Sequence, residues 1–166
     1  PPRKDAEPET LASFLLTLQK AERPHGGPFY YASPNADLLG VVIERATSAR
    51  FADLASDLLW KPMGAKGNAD ITVDAIGTPR TAGGVSMTAR DLARLGELLR
   101  NHGVRNGRQI VPEGWIRDMQ ENGDREAWQQ GRNVDLPNGR YRSQWYQSGE
   151  ADHAFCAIGI HGQWLY

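Results

Sequence analysis

The chain has 166 residues, of which 40% are hydrophobic and 23% charged, and a net charge of −1; that leaves room for one globular domain or part of a larger one. The balance gives no electrostatic footing for nucleic acid or an anionic membrane surface, since either needs a basic excess on one face, and no run approaches the roughly 20 apolar residues that cross a bilayer. The single cysteine, Cys156, excludes an internal disulfide, and His25, His102, His153 and His161 show no HxH or HExxH spacing, so no metal or cofactor is expected.

Residues 9–22 place Leu11, Phe14, Leu15 and Leu18 at helical spacing, with Thr10 as the cap. A Gly/Pro-rich loop leads to the extended aromatic run Phe29, Tyr30, Tyr31. Ser33 followed by Pro34 predicts a second helix with Ser33 as its N-cap, and Leu38, Leu39, Val42, Ile43 and Ala46 form its buried stripe. Ser48 is the expected cap of a third helix carrying Phe51, Leu54, Ala55, Leu58 and Leu59, which stops near Pro62 and Gly64. Residues 65–85 read as loop with a short β segment at Ile71. Thr88 and Asp91 form an acidic capping box before Leu92, Leu95, Leu98 and Leu99. A short helix is expected from Pro112 to Met119, and residues 121–140 read as polar and irregular. The period then changes: residues 141–146, 155–160 and 163–166 read as consecutive strands, and Cys156 as a buried, unreactive thiol. The fold class is α+β, a mainly helical part (1–140) followed by antiparallel strands (141–166). A chain that opens on Pro1 and stops inside an apolar strand at Tyr166 is expected to be a piece of a longer protein.

Composition and spacing alone do not declare an enzyme, for the chain has no Ser-x-x-Lys, Gly-x-Ser-x-Gly, P-loop or dinucleotide fingerprint. Residues 29–44 (FYYASPNADLLGVVIE) resemble the second motif of the class C β-lactamase-like, penicillin-recognising serine hydrolases. Residues 77–96 (GTPRTAGGVSMTARDLARLG) resemble that family's next hallmark, a glycine turn before a capped helix, and residues 157–163 (AIGIHGQ) are placed like its third motif. Within the family, Tyr31-Ala-Ser33 and the closing Gly-Ile-His-Gly-Gln-Trp-Leu-Tyr are most similar to the 6-aminohexanoate-oligomer hydrolases and related carboxylesterases. Ser33 stands where a β-lactamase carries asparagine, and Ala157-Ile158-Gly159 where it carries Lys-Thr-Gly.

The resemblance implies a fragment of a β-lactamase/transpeptidase-like fold and cleavage of a small amide or ester substrate through an acyl-serine. A serine hydroxyl is a weak nucleophile and needs a base within hydrogen-bond reach. In this family that base is a lysine one turn after the serine, together with a tyrosine, here Tyr31; its phenol serves only if a nearby ammonium stabilises the phenolate. The resemblance assigns the Ile160 N–H to the oxyanion hole, with Gly159 allowing close approach. Ser33 is either a substrate contact or a helix cap, His161 either a site contact or a structural histidine, and Trp145 either a cleft wall or a half-buried strand aromatic. Two other readings stay open: a β-lactamase or D-Ala-D-Ala peptidase-type penicillin-binding protein, and a non-catalytic binding module or inactive fragment. Cut strand edges invite pairing, so the other part of the protein or another chain is expected beside 153–166. The lone cysteine suits the cytoplasm and leaves the periplasm open.

Overall fold

A computed structural model describes residues 9–19, 25–131 and 135–166. Its architecture is α+β, with helices dominating the first part and a four-stranded antiparallel sheet at the end. Helix α1 (Leu11–Thr17) starts at Thr10, whose hydroxyl accepts the Ser13 N–H while the Ser13 hydroxyl takes the Thr10 N–H. It is shorter than the apolar spacing suggests: Leu18 is already extended, and residues 20–22 of the expected helix lie outside the described residues.

Helix α2 (Ser33–Thr47) begins one residue earlier than expected. Ala32 is its N-cap, with no side-chain cap, so Ser33 is the first helical residue and Pro34 the second. Proline still fits there, because the N–H it lacks has no intrahelical acceptor in the first turn. Ser48 does not cap α3 (Phe51–Ala55); it closes α2 in the left-handed conformation at φ 54°. The first N–H of α3 is satisfied instead by Glu44, reaching forward from α2 at 2.7 Å. The chain continues through one π-helical turn, Ser56–Trp60.

Strands β1 (Asp70–Ile71) and β2 (Val85–Ser86) form a two-stranded ladder around the glycine turn, and β3 (Val104–Arg105) and β4 (Arg108–Gln109) form another. Between them lies α4 (Ala89–Arg100). Thr88 caps it by accepting the Asp91 N–H at 3.1 Å, but Asp91 does not complete the expected box. Its buried carboxylate turns outward from the helix and accepts the N–H groups of Lys66 and Gly67 at 2.9 and 3.0 Å, the Thr88 hydroxyl and the Arg94 guanidinium. The Lys66 N–H foremost, with these other donors, holds the Asp91 carboxyl at about 2 against its burial. A depressed folded-state value means that this contribution is intact above the ordinary carboxyl value and fades as pH falls through the folded one. The urea midpoint is therefore expected to drop between about pH 4 and about pH 2, and Asp91→Asn to flatten that dependence. Superimposable pH profiles for parent and variant would refute this.

Helix α5 (Glu113–Glu121) follows, and then α6 (Arg125–Gly131), inside the stretch that reads as irregular. The sheet runs β5 (Arg140–Arg142), β6 (Trp145–Gln147), β7 (Phe155–Ile158), β8 (Trp164–Leu165) in sequential order. The expected single strand over 141–146 is thus a hairpin, with Arg142 opposite Trp145 and both turn residues at positive φ, Ser143 at 50° and Gln144 at 70°. This is the backbone of a type I′ turn, which usually takes Asn-Gly.

Strand alternation sorts the sheet into two faces. Trp145 and Phe155 face Leu99, Ile116 and Met119 from α4 and α5, while Tyr141, Tyr146, Cys156 and Ile158 face Trp128 of α6 and Phe29. Cys156 is buried, and burial pushes its thiol up. Gly96 lets β8 lie against α4, since a Cβ there would sit 2.8 Å from Leu165 Cδ1.

Candidate active site

The aromatic run that precedes α2 is held by its first member. Phe29 donates its N–H to the Ala127 carbonyl at 2.8 Å, and its ring packs 5.0 Å from Trp128 and 4.9 Å from Tyr141. Gly131 makes this approach possible, because a side chain there would collide with the Phe29 backbone. Two residues on, Tyr31 meets Tyr141 edge-on at a centroid distance of 6.3 Å and keeps 43% of its surface exposed. It opens on a groove of about 340 Å³ whose walls include Ser33, Asn35, Leu39, Trp115 and Tyr141, with Ser143 and Gln144 at the rim.

The two ring-to-ring partners in this groove are not equivalent. Burial foremost, with Tyr146 and Tyr31 nearby, pushes the Tyr141 phenol far above its usual range, so it stays protonated and acts as a wall. Tyr31 is the solvent-reaching phenol of that pair. The Ser33 hydroxyl is beside it on the first turn of α2 and makes no hydrogen bond among the described residues. Asn35 is exposed, with its N–H on the Ala32 carbonyl at 3.1 Å.

The third group of candidates sits elsewhere. Residues 159–163 form the turn between β7 and β8, closed by the Gly159 N–H on the Gln163 carbonyl at 2.7 Å. The Gln163 side chain accepts the His161 N–H at 3.1 Å and lies over Gly159, where a Cβ would sit 2.5 Å from its Oε1. Ile160 and His161 are at the tip of this turn rather than on a strand, and Ile160 is 92% exposed. The alternation argument for the direction of His161 therefore does not apply. The Ile160 N–H makes no hydrogen bond among the described residues. No hydrogen bond or ring contact links this tip to the Tyr31 groove among those residues.

Trp145 lies on the other sheet face, meeting Phe155 edge-on at 5.0 Å and lining a separate hollow with Gly96, Leu99 and Leu165. The structure thus gathers Tyr31, Ser33 and Asn35, keeps residues 159–161 on a hairpin tip, and sets Trp145 apart. Trp115 and Tyr141 join the groove with no signal in the sequence, because they come from α5 and β5, distant along the chain. Among the described residues no three His, Cys, Asp or Glu side chains are grouped to hold a metal ion.

The model of the beta-lactamase family matches residues 1–166. The chain belongs to the beta-lactamase family. A 6-aminohexanoate-dimer hydrolase from Paenarthrobacter ureafaciens is 40% identical over 168 aligned residues, covering 98% of this chain and 42% of that protein. A solved structure from Bacillus anthracis, provisionally described as a 6-aminohexanoate-dimer hydrolase, superposes with a TM-score of 0.82 at 28% identity, covering 93% of this chain and 38% of that one. The chain therefore spans about two fifths of the relatives it matches, and its α+β arrangement is that of the corresponding portion of a beta-lactamase-like fold.

Proposed function

We propose that this chain is the tyrosine-bearing part of a serine hydrolase that cleaves a small amide or ester through an acyl-serine intermediate, with Tyr31 as the general acid–base. The observation that carries the reading is the setting of Tyr31: a half-exposed phenol on a groove, two residues before a helix that starts Ser33-Pro34. The similarity to a 6-aminohexanoate-dimer hydrolase supports a linear amide as substrate.

In this reading the nucleophile is the serine of a Ser-x-x-Lys segment outside these residues, since none occurs within them. The lysine ammonium stabilises the Tyr31 phenolate, which takes the serine proton as the Oγ attacks the carbonyl carbon. Tyr31 then hands that proton to the departing amine or alcohol, and the carbon–heteroatom bond breaks. In deacylation it takes a proton from water, the hydroxide attacks the acyl carbon, and the serine leaves with the proton returned to it. The Ile160 N–H is assigned to the developing oxyanion and Ser33 to the substrate or the lysine, with His161 a neighbour of the oxyanion donor. These last roles require the turn at 159–163 to meet the groove in the complete protein, whose other part we place along the outer edges of β5 and β8. Trp145 has no role in the groove.

The test is acyl trapping with p-nitrophenyl acetate in the full-length protein. A single acetyl group is expected on the serine of a Ser-x-x-Lys sequence, and none on residues 1–166. The purified 166-residue chain is expected to show no turnover of p-nitrophenyl butyrate above background. A stable acetyl group on Ser33, or no acyl-enzyme at all, would defeat the proposal.

A further inference from the structure

The start of α2 is tied to the glycine turn by contacts that no step above uses. Asp37, in the second turn of α2, is 2% exposed. Its Oδ1 accepts the Ala82 N–H at 2.9 Å, and the Arg80 Nε lies 3.3 Å from its Oδ2. Beside it the Thr81 hydroxyl donates to the Ala36 carbonyl at 2.7 Å. One turn further on, Gly40 is flush with the same residue: a Cβ there would sit 2.5 Å from Thr81 Oγ1. The turn itself is fixed to β1–β2, with the Arg80 N–H on the Thr72 carbonyl and the Gly84 N–H on the Arg80 carbonyl.

Three successive residues of the turn, Arg80, Thr81 and Ala82, thus grip one face of α2 at Ala36, Asp37 and Gly40. Such a grip sets both the rotation of the helix about its axis and its position along it, so it sets where the chain enters the helix. Tyr31 lies just before that entry. On its other side the chain is anchored at Phe29 by the Ala127 carbonyl and the Trp128 ring. The phenol is held between two anchors, one on each side, while among the described residues the one aromatic ring its own ring meets is Tyr141, edge-on.

We infer that Asp37 is a positioning residue for Tyr31, acting with Thr81 as a clasp that fixes the phenol against the reacting atoms. This rests on the reading of Tyr31 as the acid–base. A buried carboxylate is suited to the task because it holds a backbone N–H more strongly than a neutral acceptor does, and a displacement of about 1 Å at a catalytic group lowers turnover by about 10²-fold.

The experiment uses the full-length protein, with kcat and KM for p-nitrophenyl butyrate normalised to the acyl burst so that unfolded enzyme is not counted. Asp37→Ala is expected to lower kcat per burst site by about 10- to 100-fold, with KM within about twofold. Asp37→Asn keeps an oxygen for the Ala82 N–H and is expected to recover most of the loss. In a Tyr31→Phe background Asp37→Ala is expected to remove nothing further, because it acts through the missing hydroxyl; a purely structural role would give an additive loss. Should Asp37→Ala yield no folded protein, Thr81→Val tests the same clasp by deleting one hydroxyl bond, with a fall in kcat of about threefold or more expected. Undiminished kcat in the folded clasp variants, or additive loss in the double variant, while Tyr31→Phe alone is inactive, overturns the role of Asp37 and spares that of Tyr31. Full activity of Tyr31→Phe overturns both.

Discussion

Tyr31→Phe in the full-length protein is expected to lower kcat for amide and ester substrates by about 10²- to 10⁴-fold, the range by which a positioned acid–base contributes, with little change in KM. The substitution deletes one oxygen and nothing else. The ring keeps its edge contact with Tyr141, and among the described residues the Tyr31 hydroxyl holds no hydrogen bond that the change would break, so the fold should be unaffected. In the proposed cycle both halves need the hydroxyl, first to receive the serine proton and later the proton of water. Acylation and deacylation should therefore slow together, so the acyl burst should keep its amplitude and lose its rate. Tyr30→Phe, at the more exposed neighbour on the same groove, removes a phenol that takes no part in the proposed proton transfer and should stay within about threefold. A Tyr31→Phe enzyme within tenfold of the parent would end the assignment of Tyr31, whatever the serine does.

How much of this was legible in the sequence depends on how local the cause is. Thr10 and Thr88 cap the helices they precede because a cap is a three-residue interaction. The capping duty expected of Ser48 falls instead to Glu44, which reaches the Phe51 N–H from seven residues before it. Helix α6 was missed for a related reason. In Arg125–Gly131 only Trp128 supplies a large apolar anchor, so there is no periodic stripe to read, and the helix depends on one ring fitting between Phe29 and Tyr146. The β5–β6 turn carries Ser143-Gln144 at two positive φ angles, a pair with no preference for that conformation, and so the hairpin looked like one strand. Tyr31 is singled out as a candidate by likeness to a family rather than by its own pattern. The groove that gives it meaning was out of reach, because Trp115 and Tyr141 arrive there only once α5 and the sheet have packed. The clasp at Asp37 was out of reach too: an aspartate in a helical stripe reads as solvent-facing until the turn that buries it is in place.

The second large effect is on stability, and it falls on the residue that sequence periodicity overlooked. Trp128 is fully buried; its ring lies 5.0 Å from Phe29 and 5.9 Å from Tyr146, and its indole N–H donates to the Leu136 carbonyl at 2.8 Å. Trp128→Ala removes the centre of the core on that face of the sheet and is expected to destabilise by about 3–5 kcal/mol, the usual range for a buried aromatic reduced to alanine, read as the urea midpoint and slope of the full-length protein. Trp128→Phe keeps a ring in the site and removes one of two donors to the Leu136 carbonyl, which retains the Gly139 N–H at 2.9 Å, and should cost about 0.5–1.5 kcal/mol. A loss below about 1 kcal/mol in the alanine variant would mean that the sheet and helices α4 and α5 hold this region without α6. The two variants also separate stability from function. Phe29 packs on this ring and leads directly into Tyr31, so whatever fraction of Trp128→Ala remains folded should turn over more slowly per active site than the parent. Trp128→Phe, with the Phe29 wall restored, should regain the parent rate while remaining less stable.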